Sequence, residues 1–376
     1  MTIVRQTRST PGTHALVIGI GRYDWLLGGT NPTFSGTEGM MQLTSPPASA
    51  RAFATWLLQT YDNPQTPLAS LELLISDGQS QLFNDGASDL AVEPATFVNV
   101  SGRINEWANR GAKKDDLLLF FFSGHGISAG AQTTLLCEDF GSNELAPLSH
   151  SIDFTKLHLG LDRIPARRQC FFLDACRAAT ATILQTYDYY GQPVIEPLAA
   201  RNPDPRLEAV FRSTLDGQGA YGRPGKASYF TEALLRSFEG PATDDDDDGM
   251  TWWVQTGGLL KALPQVLRRT VDPGVRIEPA GTEIVNFPLH RLHGRPQRIP
   301  VDVGCFPEAS TAGAILSCSG TQASQTRAVP SADVWQLELS EGRYTFKAEI
   351  GNPTKKIVEL DDEQIRPCYR NIRIPV

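Results

Sequence analysis

The sequence predicts an α/β fold with a mostly parallel central sheet, followed by a separate β-rich region. Three observations carry this expectation. Residues 116–122 (DLLLFFF) and 170–173 (CFFL) are apolar runs flanked by Gly or charge, which suits inner strands buried on both faces. Strand-like and helical patterns alternate from residue 13 to residue 290, implying helices on both faces of the sheet. Beyond residue 297 the segments become short and β-like (298–304, 314–317, 334–339, 344–350, 356–360 and 370–374), with Gly or Pro in turns such as 341–343 and 351–353. No helical stripe is visible there, so a β-sandwich of about 80 residues is expected. A change of composition at residues 291–296 reads as a linker, which divides the chain into domains 1–293 and 294–376.

The two inner strands place chemistry at their ends. Ser123-Gly124-His125-Gly126 follows the first, and Asp174-Ala175-Cys176-Arg177 follows the second. In open α/β sheets reacting groups lie at the carboxyl ends of strands. A histidine and a cysteine in these positions suit a thiol nucleophile with an imidazole beside it. His125 would accept the thiol proton and return it to the leaving amine. The other five histidines (14, 150, 158, 290 and 293) have no comparable setting and are expected to serve structure or sit on the surface. No third member of a triad is evident, and no Gly-x-Ser-x-Gly elbow of an α/β hydrolase appears.

The spacing between His125 and Cys176 matches a known pattern, a His roughly 50 residues upstream of a Gln-Ala-Cys-Arg-Gly-like segment. Here the separation is 51 residues and the segment reads Asp174-Ala175-Cys176-Arg177-Ala178. The chain resembles the caspase-like cysteine peptidases (caspases, paracaspases and metacaspases), and within them the prokaryotic metacaspases. The resemblance spans roughly residues 13–290 and implies a three-layer sandwich.

Element by element, residues 14–20 resemble the family's first strand, entering a Gly-rich loop. Residues 49–61, with Ala50, Phe53, Ala54, Leu57 and Leu58 near helical spacing, resemble its first helix. Residues 71–75 would be the second strand, and 98–110 the helix returning to the His-bearing strand. Residues 209–214 resemble the small-subunit strand, and 229–235 the helix after it.

The resemblance also implies roles. The N–H groups of Gly126 and Cys176 would form the oxyanion hole. Asp174 matches the aspartate with which metacaspases and paracaspases bind Arg or Lys before the scissile bond. The alternative for Asp174 is a helix cap, a common position for Asp. Asp216, in Asp216-Gly217-Gln218, is similar to the metacaspase Asp-x-Gln segment, and Ser213 precedes it; both are expected at the substrate pocket. One departure stands against basic specificity: Ser49 occupies the place where metacaspases usually carry a pocket aspartate.

Composition bounds the remaining choices. At 376 residues with 41% hydrophobic content, the chain is comfortable for two domains. A formal net charge of −8 with dispersed basic residues argues against nucleic acid or an anionic membrane as partner. The six cysteines include no C-x-x-C pair, no signal peptide or membrane span is visible, and a cytoplasmic location is expected.

The function expected is a cysteine endopeptidase cleaving protein or peptide substrates after Arg or Lys, in the manner of a prokaryotic stress or defence protease. The alternative is a caspase-like scaffold acting through protein interaction, with a regulatory partner on the C-terminal β domain. No cofactor is required and no metal is assigned. The run Asp244–Asp248 lacks EF-hand spacing and reads as a solvated loop, although the resemblance leaves calcium activation open. Residues 186–207 read as a loop prone to nicking, with Arg201 the candidate for self-cleavage.

Overall fold

In the computed structural model, the run that reads as an inner strand forms Leu117–Gly124, buried along its whole length. The structure describes residues 2–5, 11–33, 37, 39–129, 132–175, 190–198, 204–214, 222–244, 251–272, 275, 277–294, 298–320, 324–351 and 355–376. The chain forms two units, Met1–Leu235 with Thr270–Phe287, and Arg236–Arg269 with Pro288–Val376.

The first unit is built on a seven-stranded sheet. Its strands are β1 (Thr2–Arg5), β2 (Thr13–Ile20), β3 (Leu68–Ser76), β4 (Leu117–Gly124), β5 (Arg168–Ala175), β6 (Leu207–Arg212) and β7 (Ala280–Thr282). They lie in the order β1-β3-β2-β4-β5-β6-β7. The five inner strands are parallel, and β1 and β7 close the edges antiparallel. This is the mixed α/β, largely parallel architecture the apolar runs predict.

Side chains alternate across the sheet with a period of two, and each face is covered. On one face Phe53 of α1 (Ser45–Gln59) stacks on Phe121 with ring centroids 4.6 Å apart and meets Phe172 at 5.7 Å. Phe172 in turn stacks on Phe211 at 5.4 Å. On the other face Val100, Ile104 and Trp107 of α2 (Phe97–Arg110), with Phe154 and Leu157 of α3 (Phe154–Gly160), share a buried cluster with Leu16, Ile18, Phe120, Phe122 and Phe171. Each such side chain removed from water contributes about 1.5–3 kcal/mol.

The first helix begins at Ser45, four residues earlier than its apolar spacing indicates. Pro46 and Pro47 occupy its first turn, where the missing N–H has no intrahelical partner to lose. Gly19 of β2 permits the close approach: a Cβ there would lie 2.5 Å from Ala50 Cβ and 2.6 Å from the Pro46 carbonyl oxygen.

In the second unit, Trp252–Gln255 pairs antiparallel with Pro288–Leu292, so Arg291 and Leu292, expected in a linker, end a strand. Toward the C-terminus, Trp335–Leu339, Ile299–Phe306 and Arg370–Pro375 form one sheet. Ser324–Arg327, Ile315–Gly320, Gly342–Ile350 and Lys356–Ile365 form a second, antiparallel one. Val301, Val303, Leu316, Phe346 and Ile374 from both sheets share one buried core. The strand Ser324–Arg327 carries no apolar residue and was not evident from pattern. Among the described residues, no helix is long and apolar enough to cross a membrane.

Candidate active site

The register of the two inner strands sets the geometry. β4 and β5 run in parallel with Ala175 opposite Gly124, so the strands that precede Cys176 and His125 end level with one another. His125 is described; Cys176 lies outside the described residues, as do Asp216 and Arg201.

His125 is 8% exposed and held from three sides. Its backbone N–H donates to the Tyr23 hydroxyl at 2.7 Å, and the Tyr23 ring lies 4.8 Å from the imidazole, centroid to centroid. Gly124 makes room for this contact, because a Cβ there would sit 2.8 Å from the Tyr23 hydroxyl oxygen. The imidazole Nε2 lies 2.8 Å from the Met41 carbonyl oxygen. A carbonyl only accepts, so this contact assigns the proton of the neutral ring to Nε2 and leaves Nδ1 as the basic nitrogen. Burial pulls the imidazole pKa down, the Met41 carbonyl opposes it, and the net direction is downward. The partner of the imidazole is thus a backbone carbonyl, which no side-chain pattern reveals.

Gly126 opens a hairpin strand, Gly126–Ala129, opposite Gln132–Leu136. Leu136 N–H donates to the His125 carbonyl at 3.1 Å, which makes Gly126 and Leu135 a non-hydrogen-bonded pair whose N–H groups point away from each other's strand.

Asp174 is 4% exposed. Its Oδ2 accepts from Ser228 Oγ at 2.5 Å, Thr231 Oγ1 at 2.9 Å and Ser123 Oγ at 3.2 Å. Burial pushes its carboxyl up from the ordinary value of 3.8, the hydroxyls of Ser228, Thr231, Ser123 and Ser213 oppose this, and the net direction is up. Among the described residues, the hydrogen-bond partners of its Oδ2 are the hydroxyl groups of Ser228, Thr231 and Ser123.

Ser228 has a second task. Its Oγ accepts the Thr231 N–H at 3.0 Å, capping helix α4 (Tyr229–Phe238), while its own N–H donates to Ser49 Oγ at 3.0 Å. Ser49 therefore supports the base of this cluster. Ser213 is buried, taking the Leu173 carbonyl with its N–H at 2.9 Å and the Ala175 carbonyl with its Oγ at 3.3 Å.

Asp174 and Ser123 line a pocket of about 220 Å³ together with Gln42, Ser45, Gly124, Arg223 and Ser228. The Arg223 guanidinium in its wall is paired with Glu232 and lies over the Tyr229 ring at 4.9 Å, so its charge is already met. Ser228 and Thr231 were not singled out by sequence. Their only signal is a Ser three residues before a Thr at the start of a helical pattern, a common cap arrangement with no chemistry attached.

A caspase domain family model matches residues 13–251, and the chain belongs to the caspase domain family of peptidases. The matched span contains His125, Gly126, Asp174, Cys176, Ser213 and Asp216. The chain is similar to an uncharacterized protein, y4kE, of Sinorhizobium fredii (strain NBRC 101917 / NGR234), with 25% identity over 264 residues, covering 66% of this chain and 73% of that protein. Among solved structures it is similar to protein GSU0716 of Geobacter sulfurreducens (17% identity, TM-score 0.42, 72% of this chain and 93% of that one). It is also similar to caspase-1 of Spodoptera frugiperda (14% identity, TM-score 0.39, 75% and 95%).

Proposed function

We propose that the protein is a cysteine endopeptidase in which His125 and Cys176 form the catalytic dyad. The supporting observation is the level register of Gly124 and Ala175, which precede the two residues, joined to the orientation of the imidazole by Met41. The Cys176 thiol proton passes to His125 Nδ1, and the sulfur bonds to the scissile carbonyl carbon. The resulting oxyanion is held by the N–H groups of Gly126 and Cys176. The C–N bond breaks as His125 gives its proton to the departing amine. Water then attacks the thioester, His125 takes a proton from it, and the carboxylic acid product leaves as the thiol re-forms.

The same reading makes Asp174 the specificity residue, for Arg ahead of Lys. A buried carboxylate whose partners among the described residues are hydroxyl groups suits a guanidinium, which it would bind through paired hydrogen bonds. A stress or defence role and autoprocessing at Arg201 belong to this proposal, and calcium dependence is decided by the same assay. Cys176→Ala and His125→Ala should each abolish peptide cleavage and leave the fold intact, read by circular dichroism beside a fluorogenic peptide-library profile. Hydrolysis retained by a folded Cys176→Ala protein would overturn the assignment and favour an interaction scaffold. Fragment masses after incubation with and without calcium test the proposed cut after Arg201; an intact chain that hydrolyses added peptide would show that activity needs no processing.

A further inference from the structure

We propose a divalent transition-metal site, remote from the candidate active site, built from His158, Glu208 and Glu283. Their ligand atoms all lie within 4.8 Å of one another. Nε2 of His158 is 2.9 Å from Oε2 of Glu208 and 3.5 Å from Oε2 of Glu283. Bonds of about 2.0–2.1 Å in a tetrahedral site separate neighbouring ligands by about 3.3 Å, and the observed separations bracket that value.

The second observation is an unpartnered buried atom. His158 is 8% exposed, yet among the described residues its Nε2 makes no hydrogen bond, whereas Oε2 of Glu208 beside it is paired with Arg206. The 2.9 Å approach is close but misdirected for a hydrogen bond, an arrangement that costs free energy unless something else satisfies the imidazole nitrogen. A cation between them would do so. The ring is fixed for the purpose, stacked on Phe154 and edge-on to Phe171 with centroids 5.8 and 5.1 Å away. Imidazole with two carboxylates suits zinc, cobalt or manganese, with at least one position left for water.

The surrounding charges set the strength. Arg206 Nη2 lies 3.0 Å from Glu208 Oε2, and its Nη1 donates to the His158 carbonyl at 2.6 Å. This guanidinium opposes a metal, and Asp162, 3.6 Å from Arg206 Nε, offsets it in part. Glu208 stands at the amino end of β6, where Leu207 pairs with Arg168 of β5, whereas His125 follows the carboxyl end of β4. The three ligands come from α3, β6 and the segment after β7, so a bound ion would tie together parts of the first unit that are distant in sequence.

The test is calorimetric titration of the full-length Cys176→Ser protein with zinc chloride, repeated with Glu283→Gln and His158→Gln added. Cobalt chloride spectra report whether thiolate takes part. Loss of outer-shell partners alone weakens metal binding about 10–100-fold, so each ligand variant should weaken one site by more than about tenfold. Its cobalt spectrum should lack a thiolate charge-transfer band. Glu283 is 55% exposed at its side chain, so Glu283→Gln leaves the fold intact even if His158→Gln does not. Unchanged affinity in Glu283→Gln, a thiolate band, or the absence of a saturable site in the parent protein would each overturn the proposal.

Discussion

At the scale of single residues, Asp174 and His125 show burial serving opposite ends. Burial raises the folded-state pKa of Asp174 above its ordinary 3.8. A group raised in this way contributes stability that is present below its unfolded pKa and lost as pH rises through its folded pKa. Above its folded pKa the ionised carboxylate is therefore a cost to the fold. Asp174→Asn should melt at or above the wild-type temperature at pH 7, with the advantage shrinking toward pH 4. It should also lose cleavage after Arg by roughly two to four orders of magnitude, the effect of removing one partner from a buried pair worth about 3–5 kcal/mol. Thermal melts at the two pH values and kcat/KM on Arg peptides check both halves. An Asn variant destabilised equally at both would make the carboxylate structural. His125 is the reverse case: its depressed pKa keeps the ring neutral below about pH 6.5, and its contribution to stability is present above that value and lost as pH falls through the folded pKa. The acid limb of kcat on a saturating Arg peptide should accordingly fall below the ordinary imidazole range, as a pH–rate profile would show.

At the scale of elements, α1 and α4 are placed by small contacts with large consequences. Gly19 lets α1 lie against β2, and the obstacle to any side chain there includes the backbone carbonyl of Pro46, which cannot rotate away. Gly19→Ala should destabilise the protein by about 1–3 kcal/mol, the usual cost of forcing a methyl into a packed site, measurable as a lower urea midpoint with unchanged slope. Because Ser49, on α1, accepts the Ser228 N–H, the same shift should reach the Asp174 pocket and raise KM for Arg peptides more than it lowers kcat. A stability loss with KM unaltered would separate α1 from the pocket.

At the scale of the whole molecule, the second unit joins a helix from the middle of the chain to strands near its end. Arg269 donates through Nε and Nη2 to Asp302 Oδ1 at 3.0 and 2.5 Å, and the Tyr369 hydroxyl donates to Asp302 Oδ2. The Arg269 and Asp302 side chains are 8% and 10% exposed. Burial, reinforced by the Asp302 carboxylate, drives the Tyr369 phenol well above its ordinary range, so it stays a donor at physiological pH. Asp302→Ala leaves the guanidinium buried without its carboxylate and should cost about 3–5 kcal/mol. Calorimetry should show that loss, and an unchanged melting profile would mean the charge is met by Glu338, 3.0 Å from Arg269.

The sequence by itself determined the strands, because burial on both faces demands continuous apolar runs, and 116–122 and 170–173 announce themselves. It also determined His125, Cys176 and Asp174 as the residues to watch, since their motifs are local and their spacing is characteristic. The tertiary structure decided what surrounds them. Met41 is 84 residues from His125, Tyr23 is 102, and Ser228 and Thr231 are 54 and 57 from Asp174. None of these partners has a pattern of its own: a backbone carbonyl, a tyrosine in a loop and two hydroxyls at a helix start look alike in any chain. The same holds for His158, Glu208 and Glu283, which belong to three separate elements and meet at the amino end of the sheet. Periodicity reports which face of an element is buried. Which polar groups that burial brings within hydrogen-bond or ligand distance depends on strand order and register, and these are set by contacts across the whole sheet.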